Sequence, residues 1–145
     1  MPVELRETPF DPLAEASRYQ ASRCALHGHY GATALFVGTV RDDNEQATIS
    51  RMTLEHYPGM TERQLQRIVA TAHQEWPLLD ALVIHRVGTL QPNDPIVLVA
   101  VWSVHRAEAF AACRFIMEEL KAKAPFWKRE ETTAGARWVT HNTPG

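Results

Sequence analysis

Apolar residues fall into two kinds of run along this chain. Residues 32–40 (Ala-Thr-Ala-Leu-Phe-Val-Gly-Thr-Val) and 96–102 (Ile-Val-Leu-Val-Ala-Val-Trp) are short, nearly continuous and rich in β-branched side chains, which marks strands buried on both faces. Residues 51–57 and 81–87 read as two further strands. Elsewhere the apolar positions recur at helical intervals. Leu65, Ile68, Val69, Ala72 and Trp76 predict a helix that ends before Pro77, and Thr61 with Gln64 three positions on suggests a capping box at its start. Phe110, Cys113, Met117 and Leu120 mark one stripe of a second helix over about 105–123. A shorter, polar helix over 11–23 follows from Asp11-Pro12, a good N-cap and first-turn pair. His27 to Gly31 reads as a turn, 42–45 as an exposed loop, 88–95 as a turn region and 137–140 as a last short strand.

The order is thus β, β, α, β, β, α after the polar helix, the layout of a single α+β domain over 1–145 with a mixed sheet and packed helices. Residues 1–10 and 141–145 are expected to be loosely ordered. At 145 residues the chain can bury roughly two thirds of its unfolded surface. Only two convincing helices are available to cover strands that are apolar on both faces, so a homodimer is expected.

Composition removes several classes of function. No apolar run approaches the roughly 20 residues of a membrane span, and residues 1–11 contain no hydrophobic signal core. Two cysteines, Cys24 and Cys113, make no metal-like spacing or disulfide framework and fit a reducing cytoplasm. A net charge of −2 argues against bulk nucleic-acid binding, so any cationic site must be local.

The sharpest local feature is Lys121-Ala122-Lys123-Ala124-Pro125-Phe126-Trp127-Lys128-Arg129-Glu130. Pro125 cannot continue the helix, so the cations fall on two sides of a forced corner and two lysines can converge beside aromatic bulk. A lysine partly removed from water has a lowered pKa and becomes usable for proton transfer or for gripping an anion. A solvated basic helix end, favoured by the C-terminal dipole, explains the same residues, and the segment alone leaves both readings open. Lys121, four positions beyond Met117, lies beside the apolar stripe.

His105-Arg106 opens the same helix, where the dipole disfavours cations and the free N–H groups invite an anion; solvated side chains are the alternative. Arg41 ends the first strand after Gly38-Thr39-Val40. His27 and His29 lack a partner for a metal site, Cys113 reads as core, Ser103 as a helix cap, and no phosphate-binding glycine loop occurs.

Five blocks together resemble the large, catalytic subunit family of molybdopterin synthase over about 31–139. They are Phe36-Val37-Gly38-Thr39-Val40-Arg41, Leu54-Glu55-His56-Tyr57-Pro58-Gly59-Met60-Thr61, Ile84-His85-Arg86-Val87-Gly88, His105-Arg106, and the segment from Lys121 to Glu130. The resemblance implies an α/β hammerhead-like fold and sulfur transfer from the thiocarboxylated C-terminal Gly-Gly tail of a small ubiquitin-like sulfur-carrier subunit to cyclic pyranopterin monophosphate, giving the dithiolene of molybdopterin. It implies a homodimer within a heterotetramer and no cofactor. Lys121 and Lys128 become the catalytic candidates. Substrate contacts are expected from Phe36, Thr39, Val40, Arg41, His105, Arg106, Met117, Lys121, Lys128, Arg129 and Glu130, with Arg41, His105 and Arg106 cradling the phosphate. Thr39 departs from the bacterial pattern, which carries lysine there, so only its backbone is expected to line the site. The rival readings are a non-catalytic module that binds a phosphorylated metabolite and a module that merely docks a partner.

Overall fold

The structure is a computed structural model that describes residues 3–44, 47–133 and 135–138, with 43, 44 and 47–50 described by backbone alone. Its elements run β1 (Val3–Arg6), α1 (Pro12–Ser22), a 3₁₀ turn (Cys24–Leu26), β2 (Ala32–Thr39), β3 (Asp43–Asn44), β4 (Ala47–His56), α2 (Met60–Glu75), β5 (Leu78–Arg86), β6 (Gly88–Leu90), β7 (Pro95–Ser103), α3 (Arg106–Lys123), β8 (Phe126–Thr132) and β9 (Gly135–Trp138). The mixed α+β class is as the sequence implies.

Two sheets divide the strands. The first has the order β1-β5-β7-β2, with β1 parallel to β5 and the remaining pairs antiparallel. Residues 3–6, expected to be loose, instead form its edge, with Val3 opposite Val83. β7 occupies its centre, and Val97 to Trp102 are essentially inaccessible. Val97, Val99 and Val101 point to one face, where α2 and α3 cover them through Leu65, Ile68, Ala112 and Ile116. Leu98, Ala100 and Trp102 point to the other, under Ala16 of α1 and Phe10 just before it. Trp102 donates its ring N–H to Gln20 Oε1 at 3.0 Å and stacks on Tyr19. The thin polar helix therefore does the covering that the sequence assigned to a second copy of the chain, as far as β7 is concerned.

At Gly88 the chain leaves the first sheet for the second. Its φ of 85° lies in the left-handed region that glycine enters without steric cost. In the second sheet β4 pairs with β8 along one side and with β3 and β6 along the other, and β9 pairs with β8. The region expected to be only turn thus contains β6. The exposed loop expected at 42–45 contains the paired residues Asp43 and Asn44, with Glu45 outside the described residues. The last strand ends at Trp138, and positions 139 and 140 of the expected strand, like the tail 141–145, lie outside the described residues.

Helix ends differ in detail. Asp11 Oδ1 accepts from the N–H groups of Leu13 and Ala14, as expected of the cap on α1. On α2 the cap is Gly59, and Glu62 Oε1 accepts from the Gly59 N–H at 2.8 Å, half of a capping box two residues earlier than the Thr61–Gln64 reading. Thr61, fully buried, uses its hydroxyl elsewhere: it accepts from the Tyr57 N–H and donates to the Pro125 carbonyl, tying α2 to the corner after α3. Ser103 does not cap α3; its hydroxyl donates to the His105 carbonyl. No described helix is long and apolar enough to cross a membrane.

Candidate active site

The lysine corner is built by three successive constraints. α3 buries Ala109, Ala112, Cys113, Ile116, Met117 and Leu120 against the first sheet, while Phe110, placed on this stripe by the sequence, is 70% exposed. Lys121 follows Leu120 at the rim, half-buried as its offset from Met117 requires. Ala124 then takes an extended conformation (φ −73°, ψ 131°), as a residue before proline should, and ends the helix. The chain does not leave as a loop. It enters β8, where Phe126, Lys128 and Glu130 face one way and lie opposite His56, Leu54 and Met52 of β4.

Lys121 and Lys128 meet at this corner. Burial, then the neighbouring charge of Lys128 and its hydrogen bond, lowers the Lys121 pKa to about 8. An amine poised there holds a proton or releases it near neutral pH, which an ordinary surface lysine does not. Glu130, 4% exposed, stands on the same face of β8 and pairs with Arg137 at 3.4 Å. Arg129 points to the opposite face and is exposed.

Next to the lysines lies a residue that the sequence reading left without a role. His85, 5% exposed, occupies the end of β5 with its Nδ1 2.7 Å from the Arg86 carbonyl and its ring stacked on Phe126 at 4.0 Å and 13°. Its pKa is pushed down to about 4, first by burial and further by the charges of Lys121, Lys128 and His56. The one available signal was its position in the strand pattern, where a polar residue occupies a face otherwise held by Ala81 and Val83.

The remaining candidates separate into two groups. β2 pairs with β7 from Ala32 opposite Ser103 to Thr39 opposite Pro95, so Arg41 leaves the sheet about 23 Å from the end where His105 begins α3. α3 then runs back along the sheet, and Arg106 and Lys121 are separated by about 22 Å of helix. Arg41, Lys121 and Lys128 thus belong to one end of the molecule, His105 and Arg106 to the other. Within one chain the expected three-residue phosphate cradle is not assembled. His105 and Arg106 are exposed, with Glu108 in the same first turn offsetting their conflict with the helix dipole.

Val40 and Met117 are both buried. Val40 is 5% exposed, packs with Met52, Leu54 and Leu90, and commits both backbone groups to the 93–94 turn: its N–H donates to Asp94 and its carbonyl accepts from Asn93. That anchoring positions Arg41, which is exposed. Met117 is 7% exposed in the core under α3. Phe36, with Leu35 and Val37, lies on the uncovered edge strand β2, at 41%, 44% and 37% exposure.

The family model described as "MoaE protein" matches residues 5–123. The chain belongs to the MoaE family. Among its relatives, the molybdopterin synthase catalytic subunit of Ralstonia nicotianae is 58% identical over 137 residues, covering 94% of this chain and 76% of the relative. That of Pseudomonas aeruginosa is 47% identical over 139 residues, 96% of this chain and 90% of the relative. Matches of that length take in the lysine corner, which the family model itself reaches only as far as Lys123. Among solved MoaE structures, the protein from Burkholderia ambifaria superposes with a TM-score of 0.78 at 46% identity, over 94% of this chain and 87% of that one. The molybdopterin synthase structure from Staphylococcus aureus gives 0.84 at 29% identity, over 95% and 96%. The MoaE fold thus accounts for both sheets.

Proposed function

We propose that this chain transfers sulfur at a site divided between two copies of itself. It acts as the catalytic subunit of a molybdopterin synthase, a sulfur-transferring enzyme of molybdenum-cofactor biosynthesis. The observation that carries the site assignment is the convergence of Lys121 and Lys128, with Lys121 poised near neutrality, at the end of the molecule where Arg41 leaves β2.

The donor is the thiocarboxylated Gly-Gly tail of a small ubiquitin-like subunit, and the acceptor is cyclic pyranopterin monophosphate; both are anions. Attack by the thiocarboxylate sulfur builds further negative charge, which the Lys128 side chain and the protonated form of Lys121 stabilise in a half-desolvated corner. As the ring opens, the protonated form of Lys121 gives its proton to the departing phosphate oxygen, and the neutral form takes one from the water that then cleaves the acyl–sulfur bond and frees the tail as a carboxylate. The phosphate is held by Arg41 of one copy with His105 and Arg106 of the other, which resolves their separation of about 23 Å within one chain. Thr39 contributes backbone, Phe36 and Met117 shape the wall, and Arg129 and Glu130 flank the corner.

The surface that brings two copies together is the edge of β2. Its unpaired backbone carries three exposed apolar side chains and none of the charges that normally protect an edge strand. The working assembly is a homodimer carrying one small subunit at each end, in the cytoplasm. Purified chain mixed with thiocarboxylated small subunit and cyclic pyranopterin monophosphate should yield the dithiolene pterin. Lys121→Ala, folded by circular dichroism, should lower the rate by ~10²-fold or more. A folded Lys121→Ala protein within about threefold of the unaltered rate removes Lys121 from the chemistry.

A further inference from the structure

We propose that His85 is a positioning residue for the lysine pair: its ring, locked on one edge by the Arg86 carbonyl and on one face by Phe126, is the fixed, uncharged wall against which Lys121 is held. The inference deepens the sulfur-transfer reading and rests on it for the consequence, though not for the geometry.

A carbonyl oxygen only accepts, so the 2.7 Å contact with Arg86 requires the proton on His85 Nδ1 and leaves Nε2 bare. The contact fixes both the tautomer and the ring plane. Phe126 lies parallel to that plane at 4.0 Å. On β8 it stands two residues before Lys128 and on the same face, and it follows Lys121 by five residues across the Pro125 corner. The stack therefore clamps the end of β5 to the turn that sets the spacing of the two amines.

Three titratable groups act on the ring from the packed elements: Lys121 of α3, Lys128 of β8 and His56 of β4. An imidazolium would add one more positive charge to this cluster inside a desolvated space. With its pKa near 4, the ring stays neutral wherever Lys121 titrates. The same gap, from about 4 to about 8, makes His85 a worse proton acceptor than Lys121 by a factor of ~10⁴, so it acts through the lysine and not on the substrate. Histidine suits this place for two reasons. Its flat ring excludes water from Lys121, and its N–H satisfies a buried carbonyl that phenylalanine would leave with one bond fewer.

The chain has three lysines, Lys121, Lys123 and Lys128, so protein labelled with ¹³C at lysine Cε gives a spectrum of three titrating signals. Lys121 is identified by its absence from Lys121→Arg protein. In the unaltered chain its midpoint should lie near 8. His85→Ala opens the wall to water and should move that midpoint up by about one pH unit, with the corresponding limb of the kcat/KM profile moving in the same direction. His85→Phe keeps a neutral ring on Phe126 and should hold the midpoint within about 0.3 of its starting value, at some loss of thermal stability. If His85→Ala does not fold, Phe126→Ala removes the other half of the stack and should give the same upward movement. A Lys121 midpoint unchanged in folded His85→Ala or Phe126→Ala protein overturns the proposal, since a purely structural histidine lowers the melting temperature alone. The titration needs no substrate, so a chain that fails to transfer sulfur would refute the functional reading and leave this result standing.

Discussion

Lys121→Met should make the protein more stable at neutral pH while abolishing its chemistry. The perturbation keeps an unbranched apolar stem out to the ε position and removes the amine. In the folded state burial and Lys128 hold Lys121 near 8, whereas in the unfolded chain it titrates at its ordinary 10.5. Because the folded pKa is the lower one, the unfolded state binds more protons between these values, and folding carries a penalty for the charged amine. That penalty is fully present below pH 8, shrinks as pH rises from 8 to 10.5, and is gone above it. At about 1.4 kcal/mol per pH unit the ceiling is roughly 3 kcal/mol; the side chain is only half-buried, and screening by water reduces this to ~1 kcal/mol. For a chain of this size ~1 kcal/mol corresponds to a rise of about 3 °C in Tm. Scanning calorimetry at fixed protein concentration, at pH 7 and at pH 10.5, measures both limits. A substitution that destabilises at pH 7, or whose effect does not fall with rising pH, refutes the claim that Lys121 is held against its preferred protonation state.

Arg106→Ala should weaken binding of cyclic pyranopterin monophosphate by about tenfold or more while leaving docking of the small subunit within about twofold, read by calorimetry with each ligand; equal losses for both would remove Arg106 from the phosphate site. Val37→Asp, on the exposed edge of β2, should convert a dimer to a monomer in sedimentation at micromolar concentration without changing the far-ultraviolet circular dichroism. A dimer that survives it places the interface elsewhere.

Much of the first sheet is legible because β-branched, continuously apolar runs have few other structures open to them, and β7 is the clearest case. The covering of that strand was not legible. α1 has a thin apolar face, yet Phe10 just before it, and Tyr19 and Gln20 against Trp102, reach the sheet through contacts that no periodicity announces. β8 was missed for a related reason. Phe126, Lys128 and Glu130 alternate with Trp127, Arg129 and Glu131, so charges sit on both faces and the period-two signal of a half-buried strand is absent. The cations of the site could be picked out one by one from their positions at element ends, whereas their distribution over two ends of the molecule follows only from the antiparallel return of α3 along the sheet. His85 stayed hidden because a buried neutral histidine and a core residue look alike in one sequence; its stack on Phe126 joins residues 41 positions apart.

The division of the site between two copies is tested most directly by mixing two impaired proteins, assayed at a pterin concentration too low to saturate either. Arg106→Ala lacks the group at the start of α3 and Lys121→Ala the group at its end, so a mixed dimer carries one site with both defects and one with neither. Subunits are exchanged by dilution and reconcentration, exchange is verified by mass spectrometry of differentially tagged chains, and formation of the dithiolene pterin is then measured. At equal mixing, half of the dimers are mixed and each regains one site of two, so about a quarter of the unaltered activity should return, by the same statistics of two-fold assembly. No recovery above the two parents despite verified exchange contradicts the shared site and requires Arg41, Lys121 and Lys128 to work without His105 and Arg106 of a second copy.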